Sequence, residues 1–320
     1  MQVMDIYSTC QVIDTKKVPG FFSRYPAAIS VGATDVESAL SAIAQEASQP
    51  DSRERRRALI RYSNAYGDPF SICHCSAEVE RLVLLASIIE VMWIHDDVTE
   101  ELDHSAACRE HSALAEVLRI DVQPSDFTSK NVRQSALATV LRKAIDLDPE
   151  KAPRMIETLQ DYLATFDSRD DDFDRMEEYM PYRVANCGYW ISSYFIRWGT
   201  GITLSHTDYE SIQQYDFTMG NILGLTNDYF SWNIEKNQTT DRIRNGVRVL
   251  IKQHKISPDA AKLLLLGLIV EEESKAVRLK KERLKRPVSR ELSMYFEAIE
   301  LYVGGSCFWH ATAPRYRVFE

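Results

Sequence analysis

The stretch that decides the fold is residues 82–102, LVLLASIIEVMWIHDDVTEEL. Its apolar residues recur at the three- and four-residue spacing of one helix face. The stripe consists of Leu84, Leu85, Ile88, Ile89, Met92 and Trp93. Four carboxylates then fall within the six residues 96–101. The stretch therefore predicts a long buried helix whose last turns present acidic side chains.

The same helical periodicity runs through most of the chain, which has only 12 glycines and 11 prolines in 320 residues. The predicted helices cover residues 76–102, 151–166, 175–199, 208–236, 242–254, 258–282 and 290–310. No alternating strands with hairpin turns compete, and no linker divides the sequence. We predict one all-α domain over residues 1–320, in which about the first 35 residues are irregular and wrap the surface.

Composition excludes several classes of protein. A net charge of −9 argues against nucleic acid and against electrostatic docking on anionic membranes. The longest apolar runs are too short or too charge-interrupted to span a bilayer. The N-terminus lacks the pattern of a signal peptide, and six cysteines are too few for a disulfide scaffold, so we expect a cytoplasmic protein.

The acidic end of the first helix is a candidate metal site. Asp96 and Glu100 lie about 40° apart on a helix, with Asp97 beside them. Clustered carboxylate oxygens suit Mg²⁺, which prefers one or two carboxylates together with waters and substrate phosphate oxygens. A solvated helix end would show the same residues, so this motif alone is weak.

A second oxygen-rich face strengthens the interpretation. The stretch LTNDYFSWNIEK places Asn227, Ser231 and Glu235 one helical turn apart along a single face. An amide, a hydroxyl and a carboxylate together form a ligand set for a hard cation, and Lys236 follows where it could meet a phosphate. A merely solvated face fits poorly, because apolar residues crowd the same segment.

Together, D-D-x-x-E and N-D-x-x-S-x-x-x-E resemble the metal motifs of class I terpene cyclases. This resemblance implies a helical bundle around a central cavity, in which three Mg²⁺ ions hold a prenyl diphosphate and trigger its ionisation. From about Gly20 onward, the chain resembles the cyclase domains of fungal bifunctional terpene synthases of the fusicoccadiene and ophiobolin kind. Those proteins continue into a prenyltransferase domain, whereas this chain stops four residues past Tyr316. It is either an excised domain or a stand-alone cyclase.

The resemblance also assigns roles to the stretch EEYMPYRVANCGYW. It implies that Arg183 is the sensor of the diphosphate and that Cys187 is the effector, on a helix break ending in Gly188. Asn186 would be the linker between sensor and effector. The family usually has Asp where Asn186 stands, so the charge of the linker is missing here.

At the C-terminal end, the resemblance implies that Arg315 and Tyr316 close on the diphosphate. Many relatives carry Lys immediately before the last Glu of the second motif, where this chain has Ile234 and places Lys236 just after that Glu. We expect Arg183 and Arg315 to be loosely placed without ligand and to converge on the diphosphate when the site closes.

A carbocation intermediate needs a dry cavity with aromatic faces that stabilise positive charge. The candidate wall residues are Trp93, Tyr189, Trp190, Phe230 and Trp309. The resemblance favours geranylgeranyl diphosphate as substrate and a polycyclic diterpene as product. A C25 diphosphate that gives a sesterterpene is the alternative, and the sequence leaves open whether the chain forms a homo-oligomer.

Other interpretations are weaker. A prenyl chain-elongating enzyme would carry two Asp-rich motifs rather than the Asn/Ser/Glu set. The His95-Asp96 doublet could belong to a His-Asp phosphohydrolase, but supporting histidines are lacking. A non-catalytic helical scaffold would need neither Arg183 nor Arg315. The run of aspartates at 171–174 lies between two predicted helices, which favours a solvated loop or helix start.

Overall fold

The computed structural model describes residues 8–127, 132–168, 172–236 and 244–316, and confirms the all-α prediction. The helices are α1 Ala33–Glu46, α2 Arg53–Tyr62, α3 Pro69–Cys73, α4 Val79–Thr99, α5 His104–Ala115, α6 Val132–Leu147, α7 Ala152–Leu163, α8 Met176–Asn186, α9 Tyr189–Gly199, α10 His206–Glu235, α11 Gly246–His254, α12 Pro258–Arg283 and α13 Arg290–Thr312. None of the helices described here is long and apolar enough to cross a membrane.

Helix α4, which contains the opening stretch, runs through one half of the apolar core. Leu85, Ile88 and Met92 are buried, whereas Leu84 and Trp93 are partly buried at its edge. Helices α1, α6 and α9 pack around it. Because α4 buries residues on more than one face, the helix is fixed in place and its acidic end has a defined position.

Helix α13 is the central element of the other half, and every residue from Leu301 to Ala313 is buried. Two adjacent glycines allow this depth. A Cβ atom on Gly304 would lie 2.1 Å from the carbonyl oxygen of Pro26, and one on Gly305 would lie 2.7 Å from that of Ile72. The N-terminal segment and α3 can therefore pack directly on the backbone of α13.

The prediction of an irregular, surface-wrapping N-terminus is wrong for part of that segment. Strand β1, Cys10–Val12, pairs antiparallel with β2, Ala28–Ser30, so that Cys10 lies opposite Ser30. Between them, the Ser23 hydroxyl donates a hydrogen bond to Oε1 of buried Glu273 on α12 at 2.5 Å. The segment is thus anchored in the bundle by a polar contact and by burial.

The helix predicted over residues 175–199 is divided in two. Helix α8 ends at Asn186, and α9 begins at Tyr189 after Gly188, whose φ of 77° lies in the left-handed region. A side chain there would be strained and would also lie 3.1 Å from the Tyr162 ring. The break is therefore specified by glycine and places the end of α8 beside α10.

Candidate functional site

The structure brings the three residues of the second motif together along α10. The side-chain amide nitrogen of Asn245 donates to Ser231 Oγ at 3.2 Å and to Glu235 Oε2 at 2.8 Å, so these two oxygens converge on one donor. Asn245 also caps α11 through its own side-chain oxygen. Asn227, one turn before Ser231, completes the row.

The chemistry of this row fits a divalent cation. Burial and the neighbouring Asp228 carboxylate raise the pKa of Glu235, while the Asn245 and Ser231 hydrogen bonds oppose that shift. Like these hydrogen bonds, a cation beside Glu235 would favour the ionised carboxylate and lower its pKa. Amide, hydroxyl and carboxylate oxygens are the ligands that Mg²⁺ accepts, so Asn227, Ser231 and Glu235 would hold it.

Arg183 on α8 reaches this row from the neighbouring helix. Its Nη1 donates to Asn186 Oδ1 at 2.9 Å, and its Nη2 donates to Asn227 Oδ1 at 2.5 Å. Nη2 also lies 2.9 Å from Oδ1 of Asp228, a fully buried carboxylate. The expectation that Arg183 is loosely placed is therefore wrong: two hydrogen bonds and an ion pair to a buried carboxylate hold it against the second motif.

The helix break joins Arg183 to an apolar cavity. Asn186 accepts the hydrogen bond from Arg183 even though it is an amide rather than the usual carboxylate of the family. The next two residues, Cys187 and Gly188, line the cavity. A Cβ atom on Gly224 of α10 would lie 2.9 Å from Cγ of Arg183, so this glycine lets α8 approach α10 closely.

His310 on α13 is a contact of the motif that the sequence patterns did not reveal. Its Nδ1 lies 2.7 Å from the Ser306 carbonyl oxygen, and its Nε2 lies 3.0 Å from Nδ2 of Asn227. A carbonyl only accepts and an amide nitrogen only donates, so the ring is neutral with its proton on Nδ1. Burial, aided by Arg315 and Arg183, lowers the pKa of His310 to about 4 despite the Ser306 hydrogen bond. His310 therefore orients the Asn227 amide so that its oxygen faces Arg183.

Asp96 of the first motif lies near the C-terminal end of α4. Its side chain is exposed, yet the surrounding protein and the carboxylates of Glu100, Asp97 and Asp167 raise its pKa well above the ordinary value. A cation would relieve the repulsion among these groups, so Asp96 fits a metal ligand.

The other two residues of the first motif are engaged by α2. Arg57 contacts Asp97 Oδ1 and Glu100 Oε2, both at 2.9 Å. Buried Arg61 contacts Asp97 Oδ2 at 2.8 Å and buried Glu90 at the same distance. Asp97 can bind a metal ion only if Arg57 and Arg61 release it, and Glu100 can do so only if Arg57 releases it. The assignment of these two residues as metal ligands therefore stays a prediction.

The C-terminal pair lies in a 3-10 turn, Pro314–Tyr316, that contacts both α2 and α10. Tyr316 is buried and stacks on His310, with ring centroids 4.9 Å apart. Arg315 is exposed and lies over the Tyr316 ring. The loose placement of Arg315 and its movement onto the diphosphate stay predictions. Lys236 is exposed at the end of α10, and its phosphate contact stays a prediction.

One predicted wall residue, Trp93, lines the apolar cavity between α3, α4, α7, α9 and α13. It stacks on Phe70 at 4.9 Å between centroids. Ile89 of the predicted apolar stripe also lines this cavity, and the lining residues that the sequence patterns missed include Phe70, His74, Tyr162, Ile191 and Tyr302. These lining residues come from five elements, which is why no single stretch of sequence revealed them all.

The remaining predicted wall residues lie elsewhere. The prediction that Trp190 lines the cavity wall is wrong, because this residue is exposed on the surface of α9. The same prediction for Tyr189 is also wrong, because this residue is fully buried in the core. There its hydroxyl donates a hydrogen bond to Asp216 Oδ1 at 2.5 Å. Phe230 and Trp309 form an aromatic cluster with His310 and Tyr316 beside Asn227, so their role in the wall stays a prediction.

The phosphohydrolase interpretation finds no support in this geometry. His95 is buried, and its Nε2 pairs with Nδ1 of His111 at 2.9 Å, while His111 pairs with Asp167. No group of three or more His, Cys, Asp or Glu side chains in the described residues is arranged to hold a metal ion, and this includes Asp96, Asp97 and Glu100 while Arg57 and Arg61 hold the last two. Asp172 and Asp174, from the acidic run, contact Lys252 and precede α8, as a loop before a helix start. Asp171 lies outside the described residues.

A helical bundle with two oxygen-rich helix faces beside an apolar cavity is the arrangement of a class I terpene synthase. The family profile described as terpene synthase family 2, C-terminal metal binding, matches residues 87–275, which is more than half of the chain. The chain therefore belongs to terpene synthase family 2. The matched region includes the first motif, Arg183 and the second motif.

Similar curated proteins come from fungi. The chain is 27% identical to sesterterpene synthase btcA of Colletotrichum orbiculare over 75% of its own length and 36% of that protein. It is 25% identical to ophiobolin F synthase oblA of Aspergillus clavatus, over 80% and 36% of the two proteins. Fusicoccadiene synthase of Phomopsis amygdali is 23% identical over 74% and 35%. The chain thus spans about a third of the length of these relatives.

The fold is shared with solved terpene synthase structures. Aristolochene synthase from Penicillium roqueforti superposes with a TM-score of 0.76, covering 92% of this chain and 99% of that one. The sequence identity is only 19%, so this likeness concerns the fold.

Proposed function

We propose that this chain ionises a linear prenyl diphosphate with the help of Mg²⁺ and cyclises the resulting carbocation, releasing diphosphate. The observation that carries the proposal is the position of Arg183. It contacts Asn227 of the metal motif and lies one turn before Cys187 and Gly188 in the cavity wall. Three Mg²⁺ ions are expected, and bound Mg²⁺ would supply electrostatic stabilisation for the leaving diphosphate.

The chain's own residues supply the remaining parts of the reaction. Heterolysis of the allylic C–O bond leaves the electron pair on a diphosphate oxygen, and the guanidinium groups of Arg183 and Arg315 stabilise that charge. Apolar and aromatic side chains such as Phe70 and Trp93 exclude water and face the carbocation. Alkene carbons of the same molecule then attack the cation to close the rings, and loss of a proton from a carbon next to the final cation, with the released diphosphate as base, leaves a neutral hydrocarbon.

We propose geranylgeranyl diphosphate, with 20 carbons, as the substrate and a polycyclic diterpene as the product. Fusicoccadiene synthase among the relatives supports this choice. The relatives named sesterterpene synthases support a C25 diphosphate as the alternative. Relatives named bifunctional support a longer protein in which a prenyltransferase domain is fused to this one.

Incubation with C15, C20 and C25 prenyl diphosphates, with and without Mg²⁺, tests the proposal. Gas chromatography with mass spectrometry should detect a cyclic hydrocarbon from the C20 substrate only when Mg²⁺ is present. Asn227→Ala is the matched inactive control. Linear alcohols alone, or equal product from Asn227→Ala, would contradict cyclisation at this site.

A further inference from the structure

Helix α12, together with its C-cap residue Leu284, carries a row of exposed apolar side chains at a regular spacing. Leu263, Val270, Val277 and Leu284 recur every seven residues and are 68%, 49%, 39% and 48% exposed. With Leu264, they account for five of the twelve exposed large apolar side chains in the described part of the chain. Large exposed apolar side chains aligned along one helix face are typical of an interaction surface rather than of scattered surface residues.

Small or flexible residues alternate with the large ones along this row. Gly267, Ser274 and Lys281 each lie midway between two large residues, which gives the three- and four-residue spacing of a coiled-coil seam. A Cβ atom placed on Gly267 would meet no atom of the described residues within 4 Å. The outward face of α12 is therefore a regular series of projections and gaps.

We propose that this face of α12 pairs antiparallel with the same helix of a second copy of the chain. In this register, Val270 of each copy faces Ser274 of the other, and Val277 faces Gly267. Large residues then fill gaps on both sides, as a two-fold symmetric interface requires. A parallel pair would instead place large residues opposite each other and leave the gaps empty.

The charges beside the row are complementary in the same arrangement. Glu271 and Arg278 are exposed and flank the row on one side, while Glu273 and Ala276, beyond its other side, are buried within the bundle. Helical side chains lean toward the N-terminus of their helix. In an antiparallel pair, Glu271 of one copy and Arg278 of the other lean toward each other, and symmetry forms this contact twice.

Sedimentation velocity at micromolar concentrations tests the proposal independently of the catalytic function. Wild-type protein should be a dimer, and Val270→Glu should be a monomer with unchanged helicity. Glu271→Arg and Arg278→Glu should each weaken the dimer roughly tenfold, because each replaces two attractions by two repulsions. The double variant E271R/R278E should restore the wild-type dissociation constant.

Cysteine cross-linking tests the register. Under mild oxidation, the Val270→Cys/Ser274→Cys double variant should form a covalent dimer, whereas Val270→Cys alone and the wild type should not. A monomeric wild type, a dimer that Val270→Glu leaves intact, or a charge swap that fails to restore the dimer would each overturn the proposal. A covalent dimer of Val270→Cys alone would overturn the antiparallel register.

Discussion

Replacing Arg183 with lysine keeps the positive charge but removes the geometry that the structure shows. The guanidinium donates hydrogen bonds to Asn186 and Asn227 and forms an ion pair with Asp228, at 2.5–2.9 Å, and these partners lie on two helices. One ammonium group cannot hold all three in the same planar arrangement. Arg183→Lys should therefore lose at least one buried, charge-assisted hydrogen bond, which is worth about 1.5–3 kcal/mol.

We expect kcat/KM for a C20 diphosphate to fall by about one to two decades, since each ~1.4 kcal/mol changes a rate about tenfold. Folding stability should fall as well, by about 1–3 kcal/mol, because a buried acceptor loses its donor. Steady-state kinetics and urea unfolding measure the two effects. Arg175→Lys is the matched control at the N-cap of the same helix, since the exposed Arg175 side chain pairs with Glu177, and it should change neither. Wild-type kcat/KM in Arg183→Lys would refute the sensor role.

Other predictions concern single contacts. Asp96→Ala should abolish turnover with little change in the melting temperature, because an exposed ligand rather than a core side chain is lost; near-wild-type output would exclude Asp96 from the metal site. His310→Phe keeps a ring against Tyr316 but frees the Asn227 amide. It should lower kcat roughly tenfold and raise the Mg²⁺ concentration needed for half-maximal rate; an unchanged Mg²⁺ dependence would make His310 a packing residue only. Burial lowers the pKa of His74 to about 3. As the pH falls below about 6.5, His74 therefore takes up a proton in the unfolded state but stays neutral in the folded state. The wild type should lose about 2 kcal/mol more stability between pH 6.5 and 5 than His74→Phe does. Equal losses in urea titrations at the two pH values would show that His74 is not buried as a neutral ring.

The sequence predicted the elements in which an apolar stripe is long and regular. Helices α4, α10, α12 and α13 lie where the pattern placed them, within about three residues at each end. The pattern missed α2, whose sequence RERRRALIRY contains more arginine than apolar side chains. That helix is held by ion pairs to Asp97 and Glu90, and periodicity of apolar residues cannot reveal partners so distant in the chain.

The candidate site shows the same division. The row of Asn227, Ser231 and Glu235 follows from helix geometry alone and is present. Asn245 and His310, which hold this row, belong to other helices, and no local spacing points to them. Tyr189 and Trp190 are predicted wall residues on their aromatic character alone. The φ of 77° at Gly188 instead turns α9 so that one is buried in the core and the other is exposed.

The central claim is that two helix faces, one around Asp96 and one around Asn227, hold Mg²⁺ together with a diphosphate group. Isothermal titration of the protein with Mg²⁺, with and without inorganic pyrophosphate, tests it most directly. We predict that pyrophosphate brings in several Mg²⁺ ions together, and that either Asp96→Ala or Asn227→Ala removes this joint binding. Mg²⁺ binding that is indifferent to pyrophosphate, or that survives both substitutions, would contradict the claim.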